Sequence, residues 1–216
     1  MYIREYMQTN VITVNSDTLA HDAERVMRDN HIRRLPVVDK GKLVGLITRD
    51  KLRRMLTPFS PTSVNIWDLK YVPARIKVKD IMEKKVFTVT PDATLQQAIA
   101  EGQRRKIGVL LVVDKDEPDK LLGLVTATDV YRLTTGILGF GHPGARLHVF
   151  EPSKVGSCQE VLAIIIKRGV KVLSLFHVTP PGSGREDCMF QLDTEDASQI
   201  IAELRSKGYE VEERPL

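Results

Sequence analysis

Apolar residues arrive along this chain in short bursts separated by polar turns, and the same bursts occur twice. The segment ITV at 12–14 has the length of a short strand. Leu19, Ala23, Val26 and Met27 follow at helical spacing behind Asp17, which reads as the helix cap. An apolar run at 35–38, a turn at 39–42 and the strand LVGLI at 43–47 come next, and a short helix over 49–56 closes the unit. The second stretch repeats strand, helix, strand, turn, strand, helix, with 114–120 as its longer turn. MQTNVITVNSD from Met7 is answered by MEKKVFTVTPD from Met82 at a constant shift of 75 residues, pairing Val11 with Val86, Asp17 with Asp92 and Ile32 with Ile107. The closing phrases GLITRD and GLVTATD match at a shift of 78. Neither unit can hide its own sheet and helices, so the copies are expected to pack together, with function in the cleft between them.

Between the copies, Pro58, Pro61 and Ser63 mark a turn and a cap, and Ile66, Trp67, Leu69 and Val72 offer apolar anchors. A short helix lying on the core is predicted there, with Trp67 as a packing residue rather than a ligand-stacking one. After the second copy, Gly136, Gly139, Gly141 and Gly144 suit a flexible junction. Beyond it, ARLHVFE, VKVLSLFHVT, CMFQLDT and YEVEE read as strands, and two helices end at Gly169 and Gly208. The order strand, helix, strand, strand, helix, strand is the ferredoxin-like arrangement.

The phrases LPVVD and LLVVD, GLIT and GLVT, VITV and VFTV, repeated in this order, resemble the cystathionine-beta-synthase (CBS) domain in its tandem form, the Bateman module. The resemblance covers residues 1–56 and 76–135. The connector and the C-terminal region look like those of acetoin-utilisation-type proteins, in which a CBS pair precedes an ACT-like domain, a module that commonly senses amino acids. The implied fold class is α/β (α+β): two βαββα repeats packed as a Bateman module, then a ferredoxin-like βαββαβ ACT domain. The implied limits are 1–56 and 76–135 for the CBS domains, 57–75 and 136–144 for the linkers, and 145–216 for the ACT-like domain.

In nucleotide-binding CBS pairs, a Thr or Ser followed three positions later by Asp grips a ribose. Thr126 and Asp129 have that spacing, at a strand-to-helix turn whose free amides suit a phosphate; the plainer role for Asp129 is capping its helix. The first copy departs from the pattern, since Thr48 is followed by Lys51 and Asp50 comes one place early. It supplies instead Arg33 and Arg34, whose counterparts in the second copy are Gly108 and Val109. The resemblance therefore implies one asymmetric main site: Thr126 and Asp129 for ribose, Arg33 and Arg34 for phosphates, and Ile12 and Leu124 beside adenine. The implied ligand is an adenine nucleotide (AMP, ADP or ATP) or an adenosyl compound, bound as a regulator, with no cofactor required. In the ACT-like domain, relatives bind amino acids at the loop 151–156, which makes Glu151 and Gly156 the residues of an amino-acid site. Residues inserted in that loop suit dimerisation or partner contact better.

Composition narrows the rest. The 216 residues carry 32 Lys plus Arg against 28 Asp plus Glu, a formal +4, which favours anionic small molecules more than nucleic acid. The run Arg104, Arg105, Lys106 lacks interleaved aromatics and reads as a solvated face. The chain shows no HExxH, GxSxG or phosphate-loop pattern, and His21, His31, His142, His148 and His177 are scattered, so neither catalysis nor a metal site is expected. Cys158 and Cys188, not in a CxxC pair, read as reduced structural thiols. Without an apolar run of membrane-spanning length or a signal-like start, a soluble cytoplasmic protein is expected. The reading is a regulatory sensor, a homodimer by family analogy, acting on a metabolic enzyme. The rival is an interaction scaffold, or an amino-acid sensor working through the ACT domain with no nucleotide bound.

Overall fold

The computed structural model describes residues 1–56 and 76–215. The chain divides into two compact units, Met1–Val130 and Tyr131–Leu216. The connector helix expected around Trp67 lies outside the described residues.

The first unit contains both repeats as far as Val130, the last helix of copy two running on past the boundary in sequence. Copy one comprises α1 (Ala20–Asp29), β1 (Arg34–Asp39), β2 (Lys42–Thr48) and α2 (Arg49–Leu56). Copy two comprises α3 (Val78–Ile81), β3 (Thr88–Val89), α4 (Leu95–Arg104), β4 (Val109–Val113), β5 (Leu121–Thr126) and α5 (Ala127–Ile137). The hairpins β1/β2 and β4/β5 are antiparallel, pairing Arg34 with Thr48 and Val109 with Thr126, and each is bulged at the same place, Val37/Val38 and Val112/Val113. β3 joins β4 in parallel through Val89 and Val112. In copy one the expected strand 12–14 shrinks to a single parallel bridge from Val14 to Val37.

The reading of Asp17 as the cap of α1 needs correction. Leu19 occupies the cap position and makes no side-chain cap bond. The Asp17 carboxylate instead accepts hydrogen bonds from Lys77 Nζ (2.8 Å) and Lys79 Nζ (2.9 Å), residues 60 and 62 positions away. Two ammonium partners draw charge away from the local helix amides.

That ion pair belongs to an exchange between the copies. Val78 N donates to Thr18 O, Lys79 N to Ser16 O, and Ala20 N to Ile76 O, so the opening segment of copy two lies on copy one. Shifted by 75, the same bonds recur: Ile3 N to Ala93 O, Arg4 N to Pro91 O, and Leu95 N to Met1 O. Arg4 pairs with Asp92 as Lys79 pairs with Asp17. Val78 and Ile81 are buried in the cluster of Met27, Leu35, Ile47 and Leu52, and Ile3 is fully buried; each burial contributes roughly 1.5–3 kcal/mol.

The exchange also explains the glycine of each GLIT and GLVT phrase. Gln8 pairs with Leu124, and its equivalent Glu83 pairs with Leu46, each through an isolated bridge, so each copy's lead-in segment crosses the other's hairpin. A Cβ at Gly123 would lie 2.7 Å from the Gln8 carbonyl oxygen, and one at Gly45 would lie 2.8 Å from that of Glu83. The seam is closed by Leu43 and Leu46 of copy one against Val109, Leu111 and Val113 of copy two.

The second unit has β6 (Arg146–Phe150), α6 (Cys158–Lys167), β7 (Val172–Val178), β8 (Asp187–Leu192), α7 (Ser198–Ser206) and β9 (Glu210–Arg214). The sheet order β7-β8-β6-β9, antiparallel throughout, is that of the ferredoxin-like arrangement. Leu147, Val149, Phe190 and Leu192 meet Val161, Ile165 and Leu204 of the helices in one core. The segment predicted as a flexible junction packs on this unit: Gly139 is buried, and the Arg146 guanidinium stacks over the Phe140 ring at 4.1 Å. Among the described residues no helix is long and apolar enough to cross a membrane.

Candidate ligand clefts between the two repeats

Because the copies exchange their lead-in strands, each hairpin end is completed by a side chain from the other copy. At the end of β5, Asp129 sits in the first turn of α5. Its Oδ2 accepts hydrogen bonds from Thr126 N (2.9 Å) and Thr126 Oγ1 (2.7 Å), while Asp129 N donates to Thr126 Oγ1 (3.3 Å). Gln8, held beside Leu124 by main-chain pairing, donates its amide to both carboxylate oxygens at 2.8 Å. Thr126 and Asp129 are half-buried. The result is an oriented carboxylate at a strand-to-helix turn, bridged by a side chain from the other copy. Leu124 lies against the seam cluster, and Ile12 is exposed. Gln8 escaped the sequence reading; its only signal was its place just before VITV, opposite Glu83 before VFTV.

At the end of β2 the equivalent positions carry different chemistry. Lys51 N donates to Thr48 Oγ1 (3.3 Å), reproducing the turn, but Lys51 stands where the other copy has Asp129, and Glu83 where it has Gln8. Here a cavity of about 200 Å³ opens, with Leu46, Val86, Phe87 and Ile107 as apolar wall and Arg34, Thr48, Glu83 and Lys106 as polar groups. The Arg34 guanidinium lies across Gly108: a Cβ there would be 2.5 Å from Nη2. The structure thus brings Thr126 and Asp129 together with Gln8, and places Arg34 with Thr48 and Gly108. Arg33 is exposed, and its carbonyl accepts from Arg49 N (2.8 Å) as that of Gly108 accepts from Ala127 N (3.2 Å).

The basic run beside this cavity is partly neutralised. Arg104 and Arg105 both bind the Glu101 carboxylate, and their hydrogen bonds hold its pKa down to about 2. Arg105 also stacks over Phe87 at 4.7 Å.

In the second unit, Glu151 adopts a left-handed backbone (φ 38°) and turns the chain out of β6. Its amide donates to Asp187 Oδ1 (3.1 Å), and Asp187 Oδ2 pairs with His148 Nε2 (2.9 Å). Burial pushes the Asp187 carboxyl up, but the His148 and Glu151 hydrogen bonds and the Arg185 charge outweigh it and leave the pKa below its ordinary value. Around Gly156 the space that a side chain would take is filled by Glu160 and Tyr209, whose hydroxyl donates to Glu160 Oε2 at 2.8 Å.

Comparison with known proteins matches the repeat. The CBS domain family model covers residues 3–57 and 78–135. An inosine-5'-monophosphate dehydrogenase of Korarchaeum cryptofilum is 37% identical over 123 residues, 56% of this chain and 22% of that protein. The chain thus spans about a fifth of that relative's length. Three solved structures share the fold. The CBS domain pair of protein MJ0100, in complex with 5'-methylthioadenosine and S-adenosyl-L-methionine, has a TM-score of 0.52 at 24% identity, covering 63% of this chain and 97% of that one. A putative acetoin utilization protein (AcuB) from Vibrio cholerae scores 0.53 at 24% identity, covering 64% and 93%. CBSX2 in complex with AMP scores 0.50 at 24% identity, covering 62% and 95%.

Proposed function

The chain belongs to the CBS-domain family, and from that premise we propose that it is a regulatory sensor binding an adenine nucleotide or adenosyl compound between its two CBS domains. The observation that carries this reading is the Asp129 carboxylate, oriented by Thr126 and by Gln8 of the other copy. A carboxylate held at this turn accepts from two adjacent sugar hydroxyls once they take the place of the Gln8 amide that now bridges its two oxygens. Arg34, which lies across Gly108, whose carbonyl accepts from Ala127 N beside Thr126, supplies with Arg33 the charge for phosphate groups, and Ile12 and Leu124 supply the apolar surface for adenine. Proteins of the same fold have been solved with 5'-methylthioadenosine, S-adenosyl-L-methionine and AMP, which supports the ligand class.

Signal transmission runs through α5. This helix holds Asp129 in its first turn. A ligand that binds one arrangement of Asp129 more tightly biases that arrangement by its difference in affinity. The second unit serves as an ACT-like output domain. The filled space at Gly156 favours contact with a partner or a second copy over amino-acid capture there. The protein acts by regulation of a metabolic partner rather than by catalysis, as a homodimer in the cytoplasm.

A thermal-shift panel tests the reading. At about 100 times its dissociation constant a ligand adds roughly 2.7 kcal/mol. Stabilisation by adenine compounds, lost in Asp129→Ala, is the expected result. Stabilisation by amino acids alone overturns it in favour of an amino-acid sensor.

A further inference from the structure

Two cysteines and a histidine that the sequence scatters over thirty positions converge in the second unit. The Cys158, His177 and Cys188 ligand atoms all lie within 4.8 Å of one another. We propose that these three side chains form a binding site for one thiophilic divalent cation, Zn²⁺ by preference, with the fourth coordination position left to water.

The geometry meets the requirement of a tetrahedral ion. Zinc bonds of about 2.3 Å to sulfur and about 2.0–2.1 Å to nitrogen put a sulfur and a nitrogen ligand roughly 3.6 Å apart. Cys188 Sγ stands 3.7 Å from His177 Nδ1. With every ligand spacing within 4.8 Å, reaching the roughly 3.8 Å between two thiolates takes no more than about 1 Å, within reach of a cysteine rotation.

The scaffold is rigid. His177 and Cys188 are direct cross-strand partners in β7 and β8, so they project from one face of the sheet. Cys158 is the first residue of α6, whose start is fixed by Ser157 Oγ accepting from Glu160 N at 3.2 Å. It is partly buried against the same core. Cys188 is fully buried while His177 is exposed, which gives a shielded sulfur and an entry path.

The chemistry balances. Each thiol releases a proton on binding, and the neutral imidazole donates its Nδ1 lone pair, so a divalent ion leaves the site without net charge. Two soft sulfurs and an imidazole suit zinc over magnesium or calcium, which take oxygen ligands.

The test uses the full chain, fully reduced and stripped of metal, titrated with Zn²⁺ against a chromophoric chelator and separately with Co²⁺. We expect one equivalent per chain and an intense thiolate-to-cobalt charge-transfer absorption. Cys158→Ser and His177→Gln, each checked for folding by circular dichroism, should lower affinity beyond the roughly 10–100-fold typical of losing an outer-shell support. Because both residues lie at the edge of the core, their replacement leaves the fold in place where Cys188→Ser would strain it. Absence of binding by the reduced chain, a cobalt spectrum without thiolate bands, or unchanged affinity in both variants overturns the proposal. A nucleotide panel is indifferent to both variants, so the sensor reading stands or falls separately.

Discussion

Gln8 and Asp129, 121 positions apart in sequence, meet through two hydrogen bonds of 2.8 Å, one to each carboxylate oxygen. The contact joins the lead-in strand of one repeat to the helix start of the other, so the state of the Asp129 carboxylate reports on how the two copies are seated.

Asp129→Asn keeps the size of the side chain but removes the charge that the sugar hydroxyls would meet. Losing hydrogen bonds to a charged group costs about 1.5–3 kcal/mol. We expect adenosyl-ligand affinity to fall by that amount in isothermal titration. Unchanged affinity would show that the carboxylate only caps its helix.

Arg34→Glu separates phosphate recognition from adenosine recognition. The guanidinium borders the cavity beside Thr48 and Gly108, and its reversal places a negative charge where a phosphate would lie. Binding of AMP should weaken far more than binding of adenosine, measured side by side in one buffer. Equal weakening would assign Arg34 a packing role.

Gly123→Ala tests the crossing of the lead-in strand. The added Cβ meets main chain 2.7 Å away, the Gln8 carbonyl, rather than a flexible side chain. Overpacking of this kind costs typically about 1–3 kcal/mol, and the displaced strand carries Gln8 away from Asp129. The urea midpoint and adenosyl affinity should fall together; Gly45→Ala should lower the midpoint while sparing the Asp129 cleft.

Acid should loosen the exchange before it unfolds the cores. The Lys77 and Lys79 ammonium groups hold the Asp17 carboxyl down to about 2, from an ordinary value of 3.8. A carboxyl with a depressed folded-state pKa stabilises above its unfolded value, and that contribution is lost as pH falls through the folded value. The stability difference between the native chain and Asp17→Asn should therefore be full near neutral pH and vanish as pH drops from 3.8 toward 2. Salt should shrink it as well, because the groups are exposed. Urea midpoints across that range check it.

The hairpins and the helix over 49–56 were legible because each is a local pattern: an apolar run, a turn, a second run. The spacing of Thr126 and Asp129 was legible for the same reason. What local pattern cannot carry is which copy a segment lies on. Ile3, Arg4 and Glu5 match Val78, Lys79 and Asp80 in chemical class but not in letter, and they make the same main-chain bonds, so the exchange left only a three-residue trace. Asp17 was misread as a cap because its partners stand 60 and 62 residues downstream. Cys158, His177 and Cys188 looked unrelated because their meeting depends on the register of β7 with β8 and the placing of α6, neither of which leaves a mark in spacing.

The mutual trade of opening segments bears on ancestry. A lone forebear with one repeat would have had an uncovered core face and a lead-in strand with nowhere to lie at home. Two identical molecules trading those segments satisfy both needs at once, the familiar route by which swapping makes twofold pairs. Fusing such a pair into one polypeptide releases its halves from sameness. The two mouths are then free to differ, lysine at one and aspartate at the other, a divergence that a symmetric pair of equal chains cannot achieve.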